Sequence, residues 1–289
     1  MSSAAIDDPR LRARIVRIHA LPGVRAGSAL LRLPGCLLAV QDDAWSIAWI
    51  RLPDLAVTLQ VLRGHRGALT KLAKPDLEAA LAAPDGHIYL FGSGSRANRR
   101  AVVRINPDGT GVEVRERADI YAAIRDALAL PTMPNIEGAV MARGRLRLFH
   151  RGSGVAASAS VDLPPDVLDG GEAAVISVRR YSLGHIDGIP LHITDAAAAG
   201  AGRTAFLAAA EDTPDAIADG PVAGSVIGLI GPAGAPGWTR VLEPDGRPGT
   251  RKFEGLVLDA DLRAAWLLTD PDAVDRPAEL CRVELQGFA

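Results

Sequence analysis

One pattern recurs along the chain and constrains its fold more than any local propensity. Four segments, DLEAALAAPDGHIYLFGSGS, NIEGAVMARGRLRLFHRGSG, ITDAAAAGAGRTAFLAAAED and KFEGLVLDADLRAAWLLTDPD, each place an acidic residue before an apolar strand, a tight turn, a second strand and a polar turn. The acids are Glu78, Glu137, Asp195 and Glu254, at spacings of 59, 58 and 59 residues. A step of 50 back from Glu78 reaches Ser28 in GSALLRLPGCLLAVQDD, where a hydroxyl takes the acid's place. Each unit has room for four strands, and a unit of this kind buries its faces only by packing against its neighbours. Repetition around an axis then predicts an all-β fold, a five-bladed β-propeller, as one domain over residues 1–289 with blades over about 22–65, 66–130, 131–185, 186–245 and 246–289.

The strand pattern supports this reading. Apolar runs are short, alternate, and are broken by Gly, Pro, Asp and Asn, as in LLAVQDDAWSIAWIRL and AAWLLTDPDAVDRPAELCRVEL. The first blade is expected over about 28–33, 36–41, 45–52 and 56–63, whereas the last unit shows only three strands after Arg251. The N-terminal run ARIVRIHAL has no other partner, so a strand over 14–21 is expected to close the last blade and remove two exposed edges. The one helical segment is Asp119 to Leu130, where Ile120, Ile124 and Leu128 recur every four residues and Pro131 ends the run. Two β-sandwich domains would also use short strands, but would not require the acids to stay in register.

Composition bounds the function. With 48% hydrophobic and 23% charged residues the chain is globular rather than disordered, and a formal charge of -2 gives no general attraction for nucleic acid. Aromatic residues make up 4% and are not interleaved with Arg, so base-stacking surfaces are not expected either. No stretch approaches the roughly 18 apolar residues that a membrane span needs. Cys36 and Cys281 are the only cysteines, which suits a reducing, cytoplasmic setting. Only Lys71, Lys74 and Lys252 among the 32 basic residues are lysines, a bias expected of a GC-rich bacterial genome.

The repeat also predicts where polar side chains meet. Ser28, Glu78, Glu137, Asp195 and Glu254 each start an innermost strand, so they are expected to ring the central channel at one end. Four carboxylates this close must raise one another's pKa, pair with bases, or share a cation, and oxygen donors favour a hard ion such as Ca²⁺. Lys74 and Lys252, just upstream of Glu78 and Glu254, leave the pairing alternative open. Turns between second and third strands return to the same end. They bring Asp42, Asp43, Arg96 and Arg151 as candidate catalytic residues, and His150, Glu211 and Asp270 as candidate ligand contacts. Such a rim suits a small anionic, oxygen-rich ligand, such as a phosphate ester, either hydrolysed with a metal's help or simply bound.

The order Ser28, Glu78, Glu137, Asp195, Glu254, the paired Asp in LLAVQDDAWSIAWIRL and the element KFEGLVL resemble the calcium-activated nucleotidases, or soluble apyrases. The resemblance implies a five-bladed propeller whose axial Ca²⁺ is held by one Ser or Glu side chain from each blade. It also implies hydrolysis of nucleotides or other phosphate esters, with Asp195 standing where that family has Ser. The EG pairs at Glu137 and Glu254 are similar, more distantly, to phytase-like propeller proteins.

Overall fold

The computed structural model describes residues 3–4, 6–64, 67–154, 156–213, 220–232, 235–273 and 275–289. A long N-terminal strand, β1 (Arg12–Ala20), is followed by antiparallel runs of four. The first comprises β2 (Gly27–Leu33), β3 (Cys36–Gln41), β4 (Ser46–Arg51) and β5 (Val57–Val61). The second comprises β6 (Leu77–Ala82), β7 (Ile88–Gly92), β8 (Ala101–Ile105) and β9 (Glu113–Glu116). After the helix α1 (Ala118–Leu128) come β10 (Ile136–Ala142), β11 (Arg145–His150), β12 (Ser158–Leu163) and β13 (Ser177–Ser182). The fourth run is β14 (Ile189–Ala198), β15 (Thr204–Glu211), β16 (Val222–Ile230) and β17 (Gly237–Leu242). The last is β18 (Phe253–Leu258), β19 (Ala264–Thr269) and β20 (Glu279–Gln286), and β1 pairs antiparallel with β20 as its fourth member.

These strands form an all-β, propeller-like architecture. Middle strands such as β7, β12 and β15 are buried on both faces, and the apolar residues of successive sheets meet in five separate layers rather than one common core. Leu38, Val40 and Ile47 pack on Leu77, Ile88 and Leu90; Phe91 on Leu146 and Leu148; Phe149 on Ile193 and Phe206; Leu207 on Leu267; Val257 and Leu280 on Leu30 and Leu37. The first strand of each run packs beside that of the next, and β18 beside β2, so the series returns on itself. Helix α1 lies where the spacing predicted it, buries Ile120, Tyr121, Ile124 and Leu128, and ends at Ala129 in the left-handed conformation before Pro131.

The sheet count differs from five. Among the described residues there are four sheets of four, four, five and ten strands, because β1 lies between β20 and β17 and joins the last two runs. Its pairing with β17 is parallel, Val241 with Ala13 and Leu242 with Arg14. Further upstream, Ser3–Ala4 pairs parallel with Tyr181–Ser182, and Ile6–Asp7 with Gly237–Trp238. The N-terminal segment thus runs along the outer edges of three strand runs and caps their unpaired backbone groups. No helix among the described residues is long and apolar enough to cross a membrane.

Candidate functional site

Each innermost strand carries one β-bulge near its start. The register shifts fall between Gly27 and Ala29, Leu77 and Ala79, Ile136 and Gly138, Ile193 and Asp195, and Phe253 and Gly255. The bulged residues are therefore Ser28, Glu78, Glu137, Thr194 and Glu254. Four of the five expected ring residues hold this position, and Thr194 holds the fifth. The hydroxyls behave alike: Ser28 Oγ donates to the Leu77 carbonyl, and Thr194 Oγ1 donates to the Phe253 carbonyl at 2.6 Å, in each case the residue before the next ring glutamate. Asp195 lies one residue later, past the bulge. Its Oδ1 accepts from its neighbour Ala196 N at 2.7 Å and its Oδ2 from Leu256 N at 2.6 Å, which links β14 to β18. Burial raises its pKa well above the ordinary carboxylate value despite those bonds.

The EG pairs have a packing origin. A Cβ on Gly255 would lie 2.9 Å from Leu30 Cβ and 3.1 Å from Leu30 N, and one on Gly138 would lie 3.1 Å from Ala196 N. A side chain at either position would force adjacent innermost strands apart.

Beside three of the bulged residues, Glu78, Glu137 and Glu254, lies a cavity of about 270 Å³. Residues two before the ring positions also face it, since a two-residue step keeps a side chain on the same face: Ala26, Asp76, Asn135 and Lys252 are all part of its wall. Of the turn residues, Asp42, Asp43, Arg151 and Asp270 reach the cavity. Glu211 sits behind Arg151. His150 packs beneath the wall, its Nδ1 accepting from Asn135 N at 3.0 Å, and burial lowers its pKa to about 4, so its ring is neutral near pH 7. Arg96 is not in the wall; it precedes a short 3-10 turn, Ala97–Arg99, that delivers Arg99 instead. Sequence reasoning overlooked Arg99, Arg25 and Asp76, none of which belongs to the repeated strand pattern. Only the two-residue step before each ring position could have flagged Asp76.

Charges are distributed unevenly. On one side Arg151 Nη1 lies 3.1 and 3.2 Å from the Glu137 carboxylate oxygens and 3.7 Å from Glu254, while Nη2 donates to Glu211. Lys252 Nζ lies 3.2 Å from Glu254, 3.2 Å from Asp272 and 3.7 Å from Glu211. Burial opposes charge on both bases, but the surrounding carboxylates outweigh it and hold their pKa values up. Burial also lifts Glu137 to about 8, against the pull of Arg151. On the other side Lys74 Nζ contacts Asp42 and lies 2.9 Å from Asp76, Arg99 Nη1 donates to Asp76 at 2.7 Å, and Arg25 donates to Asp43. Glu78 makes no hydrogen bond among the described residues. Burial and then repulsion from Asp76 and Asp42 push its pKa well up, and burial moves Asp42 to about 6. The carboxylate oxygens of Asp42, Asp76 and Glu78 lie within 4.8 Å of one another, and Asp42 Oδ1 and Asp43 Oδ1 are buried without a hydrogen-bond partner.

An acidic cavity at one end of a closed series of antiparallel runs defines the class: an all-β, propeller-like protein with a polar channel mouth. Residues 23–285 match the model of a family of unknown function (DUF6929), and the chain belongs to that family. The fold is similar to Myxococcus xanthus glutaminyl cyclase, with a TM-score of 0.56 at 11% identity, covering 99% of each chain. It is also similar to a Xanthomonas campestris gluconolactonase (TM-score 0.47, 13% identity, 99% of this chain and 97% of that one). A third similar structure is the PQQ-bound aldose sugar dehydrogenase of Streptomyces coelicolor (0.44, 13%, 97% and 100%). At 11% identity the likeness to the glutaminyl cyclase shows the fold alone. No curated protein matches the sequence.

Proposed function

We propose that the chain is a five-bladed propeller that holds Ca²⁺ with Asp42, Asp76 and Glu78 and uses it to bind and hydrolyse a small oxygen-rich anion such as a phosphate ester. The blade count is supported by five apolar layers and by innermost strands that pack in a closed order. Cys36 and Cys281 are free thiols, in keeping with a cytoplasmic protein.

The observation that carries the reading is Glu78, an unbonded carboxylate within 4.8 Å of two others, beside the orphaned buried Oδ1 of Asp42. The donors are all oxygen, which suits a hard ion. A ring of all five expected residues fits less well: Asp195 accepts from two backbone N–H groups, and Glu137 and Glu254 face Arg151 and Lys252. Lys74 competes for all three, through close ion pairs with Asp42 and Asp76 and through its charge alone for Glu78, which makes no hydrogen bond of its own among the described residues.

A bound ion would supply the positive charge that polarises a phosphoryl oxygen. The chain's own bases are poorly placed to do so, since Arg25, Lys74, Arg99, Arg151 and Lys252 are all engaged in ion pairs. Asp43 is held by Arg25 through one oxygen, and its other oxygen, buried and unbonded, is free to orient a water. Arg151 then shapes the site without touching the ligand.

The test is a panel of phosphate mono- and diesters and nucleotides, assayed with Ca²⁺ and with EDTA, beside thermal unfolding under both conditions. Ca²⁺ should raise the melting temperature of the natural chain and leave Glu78→Gln unchanged. Asp43→Asn should keep the thermal shift and lose about 10²-fold or more in turnover. No shift in the natural chain overturns the metal reading. A shift with a flat panel favours a second reading, a non-catalytic binding propeller, which the full commitment of the five paired bases also suits.

A further inference from the structure

The opposite side of the channel mouth carries its own balance of charge. Glu137 starts β10, Glu211 ends β15, and Glu254 starts β18, so three strand runs each point a buried carboxylate at one place. Three such groups cannot remain ionised there without a cation. Arg151, from the turn after β11, reaches into that place. One edge of its planar guanidinium faces both oxygens of Glu137 at 3.1 and 3.2 Å, the other donates to Glu211, and Glu254 lies 3.7 Å away. Lys252 adds a second contact to Glu254 at 3.2 Å and to Glu211 at 3.7 Å.

We infer that Arg151, backed by Lys252, is a counter-ion built into the chain: it occupies a cation site formed by Glu137, Glu211 and Glu254, and that site accepts a divalent ion only when the guanidinium is removed. The inference is independent of any ion at Glu78. Its physical basis is the difference between the two kinds of cation. A tethered guanidinium carries one charge in a fixed plane and does not dissociate, whereas a free ion must be drawn from solution and leaves when it is chelated. Three runs are therefore joined at the axis regardless of calcium supply, while the side around Glu78 stays responsive to it.

The experiment uses the full chain in a Glu78→Gln background, which removes the calcium response proposed above. In that background Ca²⁺ and EDTA should leave the melting temperature unchanged. Adding Arg151→Met should lower it in EDTA by roughly 5–15 °C, as expected for carboxylates left buried without their partner. Ca²⁺, but not an equal ionic strength of NaCl, should then restore at least half of the loss. Arg151→Lys should lose less and gain no calcium response, because one ammonium keeps the charge without spanning Glu137 and Glu211. If the Glu78→Gln/Arg151→Met chain is insoluble without calcium, refolding into Ca²⁺ should recover it. The inference is overturned if calcium neither stabilises nor recovers the double variant, or if Arg151→Met unfolds at the parent's temperature in EDTA. A calcium shift that survives Glu78→Gln alone would instead overturn the assignment of Glu78 in the proposed function.

Discussion

The two sides of the channel mouth use similar residues to opposite ends. Around Glu137, Glu211 and Glu254, two buried bases contact every carboxylate, and removing any member leaves an unmatched charge. Around Asp42, Asp76 and Glu78, Lys74 and Arg99 form ion pairs with the first two acids, and the third feels the Lys74 charge without a direct contact. The first arrangement favours one closed geometry; the second leaves an acceptor to be filled. Acid count does not separate them, since each side has three clustered carboxylates. What separates them is reach: Arg151 spans three runs, whereas Lys74 contacts its own run and the one before it.

The largest expected contrast is in stability. Glu137→Ala takes two contacts from the buried Arg151 guanidinium and leaves a gap beside it, and should cost about 2–5 kcal/mol by denaturant unfolding. Glu78→Gln removes a like charge from its neighbours and should cost no more than about 0.5 kcal/mol without divalent ions. Equal losses would break the distinction. Between these lie two changes at strand contacts. Gly255→Ala pushes against Leu30 and should cost about 1–3 kcal/mol, and Asp195→Ala, which abandons Leu256 N, should cost a similar amount. Gly35→Ala tests the first of these, because a Cβ there meets nothing within 4 Å; it should show only the smaller penalty of a left-handed backbone.

The subtlest effect is on pH dependence. Glu137 and Asp42 have folded values of about 8 and about 6, raised by burial from ordinary values of 4.5 and 3.8. The folded chain therefore binds these protons more tightly than the unfolded one. The stability they contribute is full below the unfolded values and is lost as pH rises through the folded ones. Melting temperature should accordingly decline between about pH 5 and about pH 9 in EDTA, and Glu137→Gln should flatten the upper part of that decline. A melting temperature that rises over this range would mean that Arg151 dominates the titration of Glu137.

Much of this was legible in the sequence because it follows from strict periods. The repeat located the starts of the innermost strands, the four-residue spacing located α1, and the missing strand of the last unit pointed to β1. What escaped depends on single-residue shifts. A bulge inserts one residue into the pleat, so in ITDA the chemically obvious acid, Asp195, lies one place past the ring, and Thr194 fills it. In GSGSRANR the arginine nearest the strand, Arg96, precedes a tight turn, and Arg99 is carried into the cavity. Neither turn geometry nor bulge register has a periodic signal, and Arg25 and Asp76 lie outside the strands altogether. Joining the last two runs into one sheet likewise required β1 to have two neighbours, a fact about edges rather than about pattern.

The position of β1 has a consequence for how the molecule is made. Ala20 pairs with Glu279 and Arg12 with Gln286, so β1 leaves the ribosome long before the strand it pairs with. At ordinary elongation rates that interval is on the order of tens of seconds. For most of it neither β17 nor β20 exists, and the apolar flank formed by Leu11, Ala13 and Ile15 lacks the strands that cover it in the folded chain. Nascent chains of this protein should therefore depend on chaperones until β20 emerges, and a fusion partner placed ahead of Arg12 would act on the slowest step of assembly rather than on a finished surface.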